Sequence, residues 1–152
     1  MRFFLAIFLF SGLFYALGMD QTAGAATGLD FDAALSSGDQ KALNDYFQTT
    51  GKSPEALSVA SIDLNEDGLY EFVARDKNCA SALNKCDYEI LAENDEKILS
   101  LGTISAYMIT VGNGYTKGVR NLLAFENGIN DYQYAVYVWD PMTARYMMDE
   151  QK

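Results

Sequence analysis

The spacing of apolar residues changes once along the chain, from a helical period to a period of two. Ala42, Leu43, Tyr46 and Phe47 recur at spacings of three and four, so they fall on one face of a helix. From Leu57 onward, apolar and polar residues alternate, which is typical of strands with one buried face. The pattern predicts an α+β fold in which short N-terminal helices precede an extended β region.

The helical part is expected within residues 30–50. Asp39 can cap the helix N-terminus by accepting a backbone hydrogen bond, and Gly51 is placed to end the helix. A short helical turn around Phe31, Ala34 and Leu35 is expected just before it.

The alternating part predicts eight strands, each bounded by residues that favour turns. They cover Leu57–Ile62, Leu69–Arg75, Asp87–Ala92, Lys97–Leu101, Ser105–Val111, Val119–Phe125, Tyr132–Trp139 and Thr143–Met148. The turn residues include Asp67-Gly68, Asn94-Asp95, Asn113-Gly114, Asn127-Gly128 and Asp140-Pro141. Because loops this short join neighbouring strands in opposite directions, we expect an antiparallel meander of about six to eight strands. Residues 26–152 are expected to form a single globular domain.

Aromatic residues are concentrated in the strand Tyr132–Trp139. Both of its faces are partly apolar, so it is expected to be central in the sheet or covered on both sides. The stripe formed by Tyr132, Tyr134, Val136 and Val138 is interpreted as core, and a face for a ligand or partner is the alternative.

The first 25 residues have the layout of a secretory signal peptide. Arg2 provides a positive start, Phe3–Leu17 is apolar, and Ala23-Gly24-Ala25 fits a small-residue cleavage site. A membrane anchor is disfavoured because a spanning helix needs about 20 apolar residues. Ala16-Leu17-Gly18 offers an earlier cut. The protein is therefore expected to be periplasmic or secreted, with no membrane association after cleavage.

Cys79 and Cys86 are the two cysteines of the chain, and they agree with export. An even number of cysteines in an oxidising compartment favours a disulfide. The spacing is not the Cys-x-x-Cys of redox motifs or zinc ribbons, and the chain has no histidine to complete a zinc site. The pair is predicted to close an exposed loop.

Charge and composition restrict the function classes. The formal net charge is −10, which repels nucleic acid and suits a cation or a basic protein as partner. An acidic surface that serves solubility is the alternative. The absence of histidine excludes Ser-His-Asp and Cys-His catalysis, and no P-loop or dinucleotide motif is present. The chain is therefore not expected to be an enzyme.

The segment from Asp63 to Glu71 carries the most specific pattern, D-x-N-x-D-G-x-x-E. Alternate oxygen-bearing side chains in a tight loop can point inward to a calcium ion, which takes six to eight oxygens. The predicted metal ligands are Asp63, Asn65, Asp67, the Leu69 carbonyl and Glu71. An EF-hand is disfavoured because its twelfth position would be Ala74 and because both flanks are predicted strands. The alternative is a bare turn, in which Asp and Asn side chains accept backbone hydrogen bonds without any metal.

The loop resembles the calcium loop of FG-GAP and VCBS-type β repeats. The resemblance rests on Asp63, Asn65, Asp67, Gly68 and the carboxylate of Glu71, set between two strands. It implies a calcium-binding hairpin in an extracellular protein. The family usually closes the loop with aspartate and repeats its unit into a propeller, whereas this chain has glutamate and one copy.

These observations favour an exported binding protein of the cell envelope with a calcium-ordered loop. An inhibitor or immunity-type protein that captures a basic secreted hydrolase would suit the small size, the disulfide and the acidity. A structural or adhesive calcium-binding module of a surface assembly is the alternative.

Overall fold

The structure is a computed structural model that describes residues 26–79, 83–95, 97–127 and 133–150. The predicted signal peptide lies outside these residues. The described residues form one helix, one turn of 3-10 helix and nine strands, so the protein is mostly β. These elements are β1 Thr27–Gly28, α1 Ser37–Thr49, the 3-10 turn Pro54–Ala56, β2 Leu57–Ile62, β3 Glu71–Asp76, β4 Cys86–Asn94, β5 Lys97–Ala106, β6 Met108–Thr116, β7 Val119–Phe125, β8 Ala135–Asp140 and β9 Arg145–Met148. No helix in these ranges is long and apolar enough to cross a membrane.

Helix α1 begins earlier than the predicted cap. Ser36 is the N-cap, and its hydroxyl accepts a 3.1 Å hydrogen bond from the Asp39 N–H, so Asp39 lies in the first turn. Gly51 ends the helix as predicted: its φ is +76°, and the Lys52 N–H reaches back to the Phe47 carbonyl at 2.8 Å. The helical turn predicted around Phe31 is wrong, because the segment before Ser36 forms turns and bends.

The strands form two antiparallel sheets instead of one meander. β2–β3–β4–β5 form a four-stranded sheet, and β6–β7–β8–β9 form a second meander to which the two-residue β1 adds at the β6 edge. The chain passes from one sheet to the other at Tyr107, between β5 and β6. The predicted break at residues 102–104 is wrong because Gly102, with a φ of +127°, lies at a bulge inside β5.

The turn after β6 also differs from the prediction. Asn113-Gly114 lies within β6, where the β6–β7 register is irregular. A Cβ on Gly114 would come 3.0 Å from the Asn121 amide, so the close approach of β7 explains the glycine. The hairpin turns at Lys117-Gly118, where both residues have positive φ. The predicted turn at Asn127-Gly128 lies partly outside the described residues.

Two apolar cores separate three layers. The inner core lies between the sheets and includes Val73, Ile90, Ile104, Val111 and Leu122. The outer core lies between α1 and the four-stranded sheet, and it combines Leu43 and Phe47 of the helix with Phe72, Ala74, Leu91 and Ile98 of the strands. β3 is therefore buried on both faces.

β8 is central, between β7 and β9, as its composition indicated. Its inward residues Tyr137 and Trp139 pack against the inner core. The interpretation of the alternate stripe as core is wrong: Tyr134 is half exposed, and Val136 and Val138 belong to neither core. Tyr132 lies outside the described residues.

The predicted disulfide between Cys79 and Cys86 is confirmed, with a Cα–Cα distance of 5.8 Å. Cys86 begins β4 and is buried in the inner core, and Cys79 packs against that core. The bridge therefore ties the β3–β4 connection to the core, which differs from the exposed staple expected from the sequence.

Candidate metal site

The acidic loop, residues 63–70, connects β2 to β3 at one end of the four-stranded sheet. Ile62 and Glu71 are the last paired residues of the two strands, so residues 63–70 lie outside the ladder. Glu66 and Gly68 have φ values of +59° and +86°, which close the loop tightly. Strands flank the loop on both sides, so it is not an EF-hand, as the sequence indicated.

Three of the predicted ligands are held by hydrogen bonds within the loop. Asp63 Oδ2 accepts from the Gly68 N–H at 3.0 Å, Asn65 Oδ1 from the Asp67 N–H at 3.0 Å, and Asp67 Oδ1 from the Leu69 N–H at 2.7 Å. These are the bonds that the bare-turn alternative requires. They also turn the side chains toward the inside of the loop.

The second oxygen of Asp63 has no such partner. Asp63 Oδ1 is buried without a hydrogen bond. A buried carboxylate oxygen without a donor is costly, and a bound cation is one way to satisfy it. This orphaned oxygen fits the predicted calcium site, since Oδ2 can hold the turn while Oδ1 faces a metal.

Among the acidic residues that the structure describes, Glu71 is the most buried, with 8% of its surface exposed. Its Oε2 accepts a 2.7 Å hydrogen bond from the Leu64 N–H. Burial raises the pKa of the Glu71 carboxyl, and the negative charges of Asp67 and Asp63 raise it further, against the lowering effect of the Leu64 bond. The three carboxylates therefore interact unfavourably when no cation lies between them.

The structure does not assemble a full coordination shell. Across residues 26–79, 83–95, 97–127 and 133–150, no group of three or more His, Cys, Asp or Glu side chains is placed to hold a metal ion. A site here would have to draw on the Asn65 amide oxygen and the Leu69 carbonyl as well as the carboxylates. The Leu69 side chain itself is exposed.

A clamp formed by Glu66, Tyr115 and Arg120 ties the loop to the second sheet. Arg120 Nη2 donates to Glu66 Oε1 at 3.0 Å, Arg120 Nε donates to the Tyr115 hydroxyl at 3.0 Å, and that hydroxyl donates to Glu66. The Tyr115 bond and then Arg120 lower the pKa of Glu66. No local pattern indicates this clamp, because Glu66 lies 49 and 54 positions from its partners along the chain.

Backbone contacts reinforce the same junction. The Arg120 N–H donates to the Leu64 carbonyl at 2.8 Å, and the Tyr146 hydroxyl donates to the Arg120 carbonyl at 2.9 Å. Leu64 is fully buried in the inner core. The position of the loop is therefore fixed by contacts that do not require a metal.

Two clefts border the acidic loop. One, of about 280 Å³, opens between the two sheets. The other, of about 320 Å³, lies beside Gly68 and Tyr70 and is also lined by Asp39, Glu93 and Asp95. A larger one, of about 640 Å³, lies beside the disulfide and is lined by residues of both charges. Comparisons of the chain with protein-family models, curated proteins and solved structures find no match.

Proposed function

We propose that the protein is an exported calcium-binding β module that acts by binding a partner protein. The observation that carries the metal part is the buried, unpartnered Asp63 Oδ1 inside a loop with calcium-ligand spacing. Asp63, Asn65, Asp67, the Leu69 carbonyl and Glu71 would hold the ion. Calcium would supply the positive charge that offsets repulsion among the three carboxylates.

The partner part of the proposal rests on charge and on the N-terminal segment. A net charge of −10 attracts basic proteins over long distances. The apolar stretch Phe3–Leu17 followed by small residues supports export. Together they favour an inhibitor or immunity-type protein that captures a basic secreted hydrolase.

A structural or adhesive module of a surface assembly is the second candidate. It is favoured by the outer face of the five-stranded sheet, opposite the face that packs on the inner core. Val138 and Met147 are paired there, and Met147 and Tyr134 are half exposed. Helix α1, the one described helix, covers the other sheet.

Calorimetric titration with calcium tests the metal site. Asp63→Asn is the sharpest variant, because its amide oxygen can still accept the Gly68 N–H while an NH₂ group replaces Oδ1. We expect calcium binding in the unchanged protein and at least about tenfold weaker binding in the variant. Asp45→Asn removes the same charge from the exposed face of α1 and serves as the control.

A flat titration of the unchanged protein up to millimolar calcium would leave the bare turn as the correct interpretation. Equal calcium affinity in Asp63→Asn and in the unchanged protein would place the ion elsewhere.

Purification of the protein with its bound partners from an envelope extract tests the partner class. A single stoichiometric basic hydrolase supports the inhibitor function. Recovery with surface polymer or appendages supports the assembly module.

A further inference from the structure

The cleft of about 280 Å³ beside the acidic loop combines apolar walls with carboxylates. Its apolar walls come from both sheets and from the loop, and they include Leu64, Leu101, Val119, Trp139 and Tyr146. Its volume is just below that of ligand sites for small molecules, which begin near roughly 300 Å³. The cleft therefore suits a single side chain or another guest of that size.

Every charged side chain that lines this cleft is acidic. Asp67, Glu71 and Glu93 contribute carboxylates, and neither lysine nor arginine is among the lining residues that the structure describes. Glu71 is buried, so its carboxylate is already removed from most of the solvent that would otherwise stabilise it. A cation entering the cleft would supply the missing opposite charge.

The larger cleft beside the disulfide differs in charge, because its lining carries both signs. Its lining includes Lys52 and Lys85 as well as Asp87 and Glu89. Lys52 Nζ already pairs with Glu89 Oε2 at 2.5 Å. Part of the charge in the larger cleft is therefore neutralised by this ion pair, and its lining favours neither anions nor cations. The lining of the cleft beside the acidic loop favours cations.

We propose that the cleft beside the acidic loop receives a lysine side chain of the protein partner. The aliphatic stem of lysine suits the apolar walls, and its ammonium group suits the carboxylates of Glu71, Asp67 and Glu93. Aromatic residues such as Trp139 and Tyr146 favour cations over neutral guests. This proposal deepens the partner-binding function proposed above by naming the group that is recognised.

The cleft shares Asp67 and Glu71 with the proposed calcium site. Calcium held by these carboxylates would neutralise the charge that attracts lysine. Calcium and the basic guest therefore oppose each other, and by linkage each weakens the other by the same factor. A rise in calcium would release the partner.

Trp139 makes this testable, because it is the single tryptophan of the chain and it lines the cleft. The probe is the acetylated, amidated tripeptide Ala-Lys-Ala, titrated in chelator while tryptophan fluorescence is followed. The matched peptide Ala-norleucine-Ala has a similar apolar stem and no charge. We expect saturable binding of the lysine peptide, at least about tenfold tighter than that of the norleucine peptide, and weakening by added calcium.

Two variants separate the cleft from the metal site. Glu93→Gln should weaken the lysine peptide and leave calcium affinity unchanged, since Glu93 lies in the cleft but outside the acidic loop. Asp63→Asn should weaken calcium binding strongly and peptide binding less than Glu93→Gln does, since Asp63 does not line the cleft and acts on it only through its charge. Asp45→Asn should change neither.

Equal affinity for the lysine and norleucine peptides, or an unchanged response in Glu93→Gln, would overturn the cleft proposal. Absence of peptide binding in a protein that still binds calcium would overturn it and leave the calcium site standing. Peptide binding without calcium binding would support the cleft and remove the metal site.

Discussion

Replacing Glu71 with glutamine should stabilise the metal-free protein and weaken its calcium response. The carboxylate is buried, and its Oε2 accepts the 2.7 Å bond from the Leu64 N–H. Glutamine can accept the same bond through its amide oxygen, although a neutral acceptor makes a weaker bond. Since the pKa of Glu71 is raised despite that bond, burial and repulsion from Asp67 and Asp63 outweigh it. Removing the charge should therefore be favourable.

The sign of the pH dependence follows from the same shift. A folded-state pKa above the ordinary value of 4.5 means that the folded protein binds this proton more tightly than the unfolded chain does. The contribution of Glu71 to stability is fully present below about pH 4.5 and is lost as the pH rises through the folded-state pKa. Glu66 and Asp140 have lowered pKa values, so their contributions change below this window. Glu71→Gln should match the unchanged protein near pH 4.5 and exceed it at neutral pH.

Calcium should reverse the order of the two proteins. A ligand at a hundredfold excess over its dissociation constant stabilises the folded state by roughly 2.7 kcal/mol. One kcal/mol corresponds to roughly 3–4 °C in Tm for a domain of this size, so calcium should raise Tm by roughly 10 °C. Glu71→Gln removes an anionic ligand and should lose most of that gain.

Scanning calorimetry measures the difference in Tm between the two proteins in each of four conditions: with chelator or with calcium, at pH 4.5 or at pH 7. A glutamine variant that melts below the unchanged protein in chelator at pH 7 would refute the reasoning, because the charged form would then be the stabilising one. An equal calcium-dependent rise in both proteins would show that Glu71 is not a ligand.

The remaining predictions concern the disulfide and the outer core. Replacing both Cys79 and Cys86 with serine should lower the free energy of unfolding by roughly 2–3 kcal/mol, as expected for a short closed loop, and urea denaturation of the two proteins measures this. An unchanged midpoint would show that the bridge is not stabilising. Phe47→Ala should cost roughly 3–5 kcal/mol in the same assay, because the side chain is buried between α1 and the four-stranded sheet. Leu99→Ala, at a half-exposed position of β5, should cost less than about 1 kcal/mol, and similar losses in both variants would contradict the assigned core.

The local pattern of apolar and polar residues was enough to predict most of the individual helices and strands. β2 and β7 have the bounds that alternation predicts, and Gly51 ends α1 because its left-handed conformation favours glycine. The alternation predicts a single meander with a break at residues 102–104, whereas Gly102 lies at a bulge inside β5 and the chain changes sheets only after β5. A glycine alone does not distinguish a turn between strands from a bulge within one.

For the candidate site as well, the sequence pattern predicts local shape but not contacts between residues that are distant along the chain. The spacing of Asp63, Asn65 and Asp67 predicted an inward-facing loop, and the hydrogen bonds of the loop agree with that shape. The clamp of Arg120 on Glu66 joins the β2–β3 loop to β7 of the other sheet, so no local spacing could show it. The acidic cleft likewise depends on how the two sheets pack, which the alternation of residues along each strand does not specify.

β3 belongs to both cores, and this has a consequence for how the protein unfolds. Phe72 and Ala74 face α1, while Val73 between them faces the other sheet. If α1 packed on a strand that took no part in the inner core, the helix could detach and leave the sandwich, meaning the two packed sheets, intact. Here the two apolar interfaces share one backbone, so a disturbance of either one displaces the residues that form the other. Loss of the helix and loss of the sandwich should therefore occur in one cooperative transition, with coincident helical and tertiary signals.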